Sequence, residues 1–179
     1  MRLRVIAGEL GGRFFESPDS AATHPMSERL RGSLFNILGD IEGQTVLDPF
    51  SGSGALGFEA VSRGAVHATL LEREKRAQKI IAQNISELGV QEKVKLIKAN
   101  SRMWSERNPD AKFNLILVDP PYHDLQLSTV SLLSRHLKNN GLMVLSYPGR
   151  GSAPTVNGVV VVDNRNYGNA ALAFYHKAG

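Results

Sequence analysis

Asp119-Pro120-Pro121-Tyr122 brings a carboxylate, a proline carbonyl and an aromatic ring together within four residues. The prolines stiffen the turn and carry no amide donor, so the Pro120 carbonyl projects outward. Two acceptors beside a flat ring suit the exocyclic amine of a nucleic-acid base. Asp119 and the Pro120 carbonyl can take its N–H hydrogens while Tyr122 stacks on the base. The lone pair of such an amine is delocalised into its ring, which makes it a poor nucleophile. Acceptors placed out of the ring plane favour a pyramidal nitrogen and aim its lone pair at an electrophile. The rate gain then comes from orientation and electrostatics. Asp119 can also take the proton released on transfer. In isolation the tetrapeptide is equally compatible with an ordinary Pro-Pro turn carrying an exposed tyrosine.

A second stretch supplies the electrophile's binding site. Leu47-Asp48-Pro49-Phe50-Ser51-Gly52-Ser53-Gly54-Ala55-Leu56-Gly57 follows the apolar run Thr45-Val46-Leu47 and precedes a helical pattern. Strand, glycine loop and helix in that order form a small-molecule cradle at the carboxyl end of a first parallel strand. Gly52, Gly54 and Gly57 spell G-x-G-x-x-G, a weak signal that leaves a dinucleotide oxidoreductase open. A pyrophosphate site wants N–H donors and no fixed negative charge. Asp48 ends the strand and Pro49 removes a donor. A carboxylate there fits a cofactor that is cationic and lacks phosphate, which points to S-adenosylmethionine. Glu72, at the end of the second apolar strand Ala68–Glu72, lies 20 residues after Gly52. An acid at that spacing accepts hydrogen bonds from ribose hydroxyls.

These residues need a sheet to hold them. Strands are expected at 45–48, 68–72, 93–98, 113–118 and 142–145, alternating with helices. The clearest helix carries Ala77, Ile80, Ile81, Asn84, Ile85 and Leu88 at helical spacing with one lapse, and Gly89 stops it. Lys93–Lys98 alternates strictly, with lysines outward, and Asn100-Ser101 follows it. Phe113–Val118 is continuously apolar, as central parallel strands are. A helix is expected over Leu125–Leu137, a strand from Gly141, and two antiparallel strands at Val156–Val162 and Ala170–Tyr175. The order predicts an α/β, Rossmann-like, doubly wound and mostly parallel seven-stranded sheet with an antiparallel C-terminal hairpin. Ahead of it, residues 2–7 and 13–16 read as a short hairpin, followed by a loop to Pro25. A leading helix at 26–39 opens with Ser27 and Glu28, ends at Gly39, and is weakened by Gly32. One domain spanning 1–179 is expected, with 44–179 as its catalytic core.

The chain has 179 residues, is 42% hydrophobic and 21% charged, and has a net charge of +4 with no cysteine. It can bury a sizeable core but can form neither disulfides nor cysteine-based metal sites. No run is apolar enough for a transmembrane helix. A cytoplasmic protein without metal is expected, and nothing demands an oligomer, so a monomer is. Charge is uneven: residues 37–72 hold five acids against one arginine, whereas 73–112 hold ten Lys or Arg against five acids. The acidic block coincides with the expected site for a cationic cofactor. The basic block, with Arg2, Arg4, Arg13, Arg29 and Arg31, could face a polyanion or be only a solvated surface.

Taken together, the glycine loop and Asp119-Pro120-Pro121-Tyr122 resemble class I S-adenosylmethionine-dependent methyltransferases that act on exocyclic amines. Arg4-Val5-Ile6-Ala7-Gly8, Gly12-Arg13, Arg29-x-Arg31-x-x-Leu34-Phe35-Asn36 and Tyr167-Gly168-Asn169 resemble the RsmD family, bacterial 16S rRNA guanine-N2 methyltransferases. That resemblance spans nearly the whole chain. It implies that Asp48, Phe50, Ser51, Gly52 and Gly54 line the methionine end of the cofactor, Glu72 holds the ribose, and Asn100 with Ser101 sits near the adenine. It puts Asp119, Pro120 and Tyr122 at the reacting amine. Arg13, Arg29 and Arg31 would meet RNA, the last two at the site's mouth, with 16S rRNA or the small ribosomal subunit as partner. Three positions depart from the family pattern: Gly32 and Ser146 stand where acids are usual, and Met26 where Thr is common. An adenine-N6 or glutamine methyltransferase, or a non-catalytic RNA-binding relative, are the competing readings.

Overall fold

The computed structural model describes residues 1–19, 25–149 and 151–178. Parts of the expected loops at 17–25 and 148–152 lie outside the described residues. Strands β1 (Arg2–Arg4) and β2 (Phe14–Glu16) form an antiparallel hairpin, followed by α1 (Glu28–Leu38). The core then runs β3 (Thr45–Asp48), α2 (Ala55–Ser62), β4 (His67–Glu72), α3 (Lys75–Leu88), β5 (Val94–Lys98), α4 (Ser101–Arg107) and β6 (Phe113–Val118). It ends with α5 (Leu127–Leu133), a 3-10 turn at Ser134–His136, β7 (Leu137–Pro148), β8 (Val159–Asn166) and β9 (Ala170–Lys177). The seven-stranded sheet has the order β5-β4-β3-β6-β7-β9-β8. β3 to β7 are parallel, and β9 pairs antiparallel with both β7 and β8. The chain leaves β3 toward β4 and β5, then returns to β6 on the other side. Ligands bind where the winding reverses in this way, at the carboxyl ends of the strands.

Successive strand residues feed opposite faces of the sheet. Val46, Leu70, Leu115, Val144 and Leu172 join one core with α1, α2 and α3. Leu47, Leu71, Ile116, Met143 and Ala173 join the other with Trp104 of α4 and Val130 and Leu133 of α5. Burial on both faces is why Leu115–Val118 is continuously apolar; the one polar residue in Phe113–Val118, Asn114, accepts from the Thr45 amide at 2.8 Å.

Local signals set most boundaries. The Ser27 hydroxyl accepts from the Leu30 amide, 3.1 Å away, and caps α1. Gly39 ends that helix at φ 68°, and Gly89 ends α3 at φ 69°. Some expected elements move: β1 stops at Arg4 rather than residue 7, and β8 runs Val159–Asn166 rather than Val156–Val162. The helix anticipated over Leu125–Leu137 is shorter, because the chain tightens into the 3-10 turn and Leu137 already pairs with Phe113 in the sheet. β7 therefore starts at Leu137 rather than Gly141, and its register on β6 shifts between Phe113 and Leu115.

The N-terminal segment is fastened to the core by one buried carboxylate. Glu59 of α2 is fully buried and accepts from the Ile6 amide (2.9 Å), the Ala7 amide (3.1 Å), Arg31 Nη1 (3.2 Å) and Arg63 Nε (2.8 Å). The Ser62 hydroxyl donates to the Ala7 carbonyl at 2.6 Å and accepts from the Leu10 amide at 2.9 Å. Removing one partner of a buried pair strands the other charge, at a cost of about 3–5 kcal/mol. Glu59→Ala is accordingly expected to lower unfolding stability by roughly that much, read from urea denaturation midpoints. A loss under about 1 kcal/mol would mean that apolar packing and the other polar contacts of the segment dock it without Glu59.

Candidate active site

The glycine loop lies between β3 and α2 and is shaped by close contacts. Gly54 stands at φ +86°, and a Cβ there would come within 2.6 Å of the Phe58 ring. A Cβ on Gly57 would come within 2.5 Å of Leu70, so its absence lets α2 lie close on β4. The loop is pinned from three sides. Glu72 accepts from the Gly52 amide at 2.8 Å and from the Glu74 amide at 2.9 Å. The Ser51 hydroxyl donates to the Asp48 carbonyl at 2.8 Å, and the Ser101 hydroxyl donates to the Pro49 carbonyl. Asn84, fully buried on α3, donates to the Ser53 carbonyl at 3.4 Å and the Glu16 carbonyl at 2.8 Å. It accepts from the Glu16 amide at 3.0 Å. The lapse in the apolar stripe of α3 is thus the residue that joins the hairpin to the loop.

A cavity of about 1020 Å³ opens over the strand ends. Its wall includes Phe50, Ser51, Gly52, Glu72, Asn100, Ser101, Asp119, Pro120 and Tyr122. Residues from four strand ends, far apart in sequence, therefore meet around one space. Asn100 also caps α4, accepting from the Arg102 amide at 2.9 Å. Asp48 and Gly54 do not reach the wall as expected and lie one layer deeper. Asp48 is 1% exposed, and among the described residues neither carboxylate oxygen makes a well-formed hydrogen bond.

The electrostatics of the floor are unusual. Loss of solvation, then the nearby Asp119 and Glu72 carboxylates, push the Asp48 carboxyl well above the usual range. Burial pushes Asp119 up to about 7, with the Ser146 hydroxyl pulling the other way. Two disfavoured carboxylates under a glycine loop make an environment that a cation relieves. An ammonium and a sulfonium fit this chemistry, and a pyrophosphate does not.

The basic residues divide. Arg29 is exposed on α1 and lines the cavity. Arg13 is exposed on the hairpin, away from the cavity wall, and donates to the Glu87 carbonyl at 2.8 Å. Arg31 does not lie at the mouth as expected. It is 1% exposed and paired with Glu59, because two residues are about half a helical turn, which carries the chain from an outward Arg29 to an inward position. Sequence reasoning also missed residues on the wall. Leu30 and Met26 come from around α1, and Asn166–Ala170 come from the β8–β9 turn.

Among known families, the model of Conserved hypothetical protein 95 matches residues 3–176. Ribosomal RNA small subunit methyltransferase D of Buchnera aphidicola is 34% identical over 148 residues, 80% of this chain and 77% of that one. The chain belongs to the RsmD family. A protein of the same name from Escherichia coli K12 is 32% identical over 159 residues, covering 87% of this chain and 79% of its own. The solved structure of the Escherichia coli protein yhhF superposes with a TM-score of 0.87 at 28% identity, over 99% of this chain and 98% of that one. The sheet order found here, with its C-terminal antiparallel pair, is therefore the arrangement of an RsmD-family fold.

Raised carboxyls make a stability prediction. Asp119 holds its proton up to about 7 in the folded chain, against 3.8 ordinarily. The folded state thus binds more proton than the unfolded one between those values, and stability from this group falls as pH rises through the window. Asp119→Asn removes the charge and keeps the shape. Its melting temperature is expected to exceed that of the wild type by several degrees at pH 8, with the gap closing toward pH 4. An equal gap at both pH values, in thermal melts, would place the charge elsewhere.

Proposed function

We propose that this chain transfers a methyl group from S-adenosylmethionine to the exocyclic N2 amine of a guanine in 16S rRNA. Its partner would be the small ribosomal subunit or its RNA. The observation that carries the reading is the meeting of Asp119-Pro120-Pro121-Tyr122 and the acid-floored glycine loop around one cavity. The names of the relatives support an rRNA substrate. The choice of guanine N2 rests on the family resemblance. In this reading the protein works as a monomer in the cytoplasm, as one domain.

When bound, S-adenosylmethionine supplies a methyl group on a positively charged sulfur. Asp48, a layer beneath the loop, would favour the cofactor's cationic end through its charge rather than by contact, Glu72 at the loop's edge would hold the ribose, and Asn100 and Ser101 would flank the adenine. A guanine stacked in a helix cannot present its amine here, so it must be unstacked. Tyr122, 39% exposed at the cavity, receives the ring face. Asp119 and the Pro120 carbonyl accept the two N–H hydrogens and turn the lone pair toward the methyl group. Asp119 would take the proton the amine loses as its new N–C bond replaces the sulfur–methyl bond and the sulfonium leaves as a neutral thioether, a role suited to a carboxyl titrating near 7. Arg29 at the wall meets the RNA backbone.

The test is single-turnover methylation from labelled cofactor into small subunits, naked 16S rRNA and DNA. The rate is expected to rise with pH through about 7 and then level off, as Asp119 ionises. Asp119→Ala should depress turnover far more than cofactor affinity, since the contact is strongest in the transition state. Methylation by Asp119→Ala at the wild-type rate would refute the amine-positioning role, and methyl transfer to DNA alone would refute the substrate.

Two binding experiments complete the reading. Gly54→Val forces a side chain against Phe58 and should abolish cofactor binding. Glu72→Ala should weaken it by roughly 1–3 kcal/mol, the scale of a lost hydrogen bond to a charged group. RNA affinity should fall steeply with salt, and Arg29→Glu should reduce it without unfolding the chain. Calorimetric affinities unchanged in Gly54→Val and Glu72→Ala, or an RNA affinity indifferent to salt, would count against the respective assignments.

A further inference from the structure

The Tyr122 hydroxyl meets the Ser146 hydroxyl at 2.5 Å. Ser146 is 1% exposed near the carboxyl end of β7. β6 and β7 run parallel with Val118 opposite Leu145. The next residues on the two strands, Asp119 and Ser146, therefore stand side by side. One buried hydroxyl thus adjoins the first and last residues of the Asp119–Tyr122 turn. A hydroxyl has one proton to donate and lone pairs to accept with, and burying it is costly unless these are used. A carboxylate is the stronger acceptor, which favours the order Tyr122 phenol to Ser146 oxygen, and Ser146 proton to Asp119.

We propose that Ser146 is a positioning residue that ties the Tyr122 phenol to the Asp119 carboxylate and so holds the stacking ring and the amine acceptor in one arrangement. The proposal rests on the reading of this cavity as an amine methyltransferase site. Hydrogen bonding to Ser146 opposes the burial-driven rise of both the Asp119 carboxyl and the Tyr122 phenol, as a shared partner would. The other ionisable groups around Asp119 are Asp48 from β3 and, on the same cavity wall, Glu72 of β4, Arg73, Glu74, Arg29 of α1, His123 and Tyr167. None of them adjoins both Asp119 and the Tyr122 hydroxyl. The ring alone could rotate about its side-chain bonds. Anchoring its far end removes that freedom before the base arrives, and orientation already established is what speeds the reaction.

The test compares Ser146→Ala, Tyr122→Phe and the double variant in single-turnover methylation at saturating cofactor. Ser146→Ala is expected to slow the reaction about tenfold, the equivalent of one hydrogen bond to a charged group. Cofactor affinity should stay near the wild-type value, and so should the melting temperature at pH 4, where Asp119 is protonated in both folded proteins. Tyr122→Phe keeps the stacking face and should lose less. The double variant should be no slower than Ser146→Ala, because both changes break the same chain. A second readout needs no RNA. In carbon-13 spectra of the cofactor-free protein, the Asp119 carboxyl should titrate at higher pH in Ser146→Ala than in the wild type. Strictly multiplicative losses in the double variant, or an unmoved Asp119 titration, would overturn the proposal. So would a rate loss matched by equal losses of cofactor affinity and thermal stability. If the wild type methylates no RNA, the proposed function fails, while the carboxyl titration still decides whether Ser146 is coupled to Asp119.

Discussion

A carboxylate with no access to water sits where three parts of this chain cross. Glu59 collects two backbone amides from the segment after β1, a guanidinium from α1 and another from its own helix. Sequestering that charge is tolerable only with its donors in place, and the donors come from regions the sheet does not otherwise constrain. The result is a fixed position for the N-terminal segment against α2. The cavity depends on this placement, because Pro25, Met26, Ser27, Arg29 and Leu30 form one of its walls. The inner face of α1 is spent on Glu59 through Arg31, which leaves Arg29 to face outward.

A second constraint acts on the opposite side of the glycine loop. Asn84 satisfies both backbone groups of Glu16 and reaches the Ser53 carbonyl. The hairpin is thereby coupled to the cofactor loop through a single amide. Glu72 also has two tasks. It orders the Gly52 amide and faces the cavity, so the acid open to a ligand is also the one that holds the glycine loop.

The site stores unfavourable electrostatics in the resting protein. Asp48 makes no well-formed hydrogen bond among the described residues, and Asp119 titrates near 7. Both are costs to folding that a cationic ligand and an amine would relieve, which is how a binding energy becomes selective for charge. The hydrogen bonds around the turn, from Tyr122 to Ser146 in particular, limit how far the chain can relax to avoid that cost.

The sequence by itself determined the alternation of strands and helices, the seven-stranded order of events and the chemistry of the two motifs. Those signals are local: periodicity, glycines that demand positive φ, prolines in a turn and an acid at each strand tip all act within a few residues. It also carried the family, through blocks such as Arg4–Gly8 and Arg29–Asn36. Only the tertiary structure decided which arginine is buried: the apolar stripe of Leu30, Leu34 and Phe35 turns α1 toward the core, but that an arginine is tolerated on this face follows only from Glu59 waiting there. It likewise decided where β7 begins, because Leu137 pairs with Phe113 across the sheet rather than extending a helix. Asn84 and Ser146 were legible only as polar residues in apolar surroundings. Their partners lie 68 and 24 residues away, at Glu16 and Tyr122, and nothing in a linear chain marks a hydrogen bond that closes over such a distance.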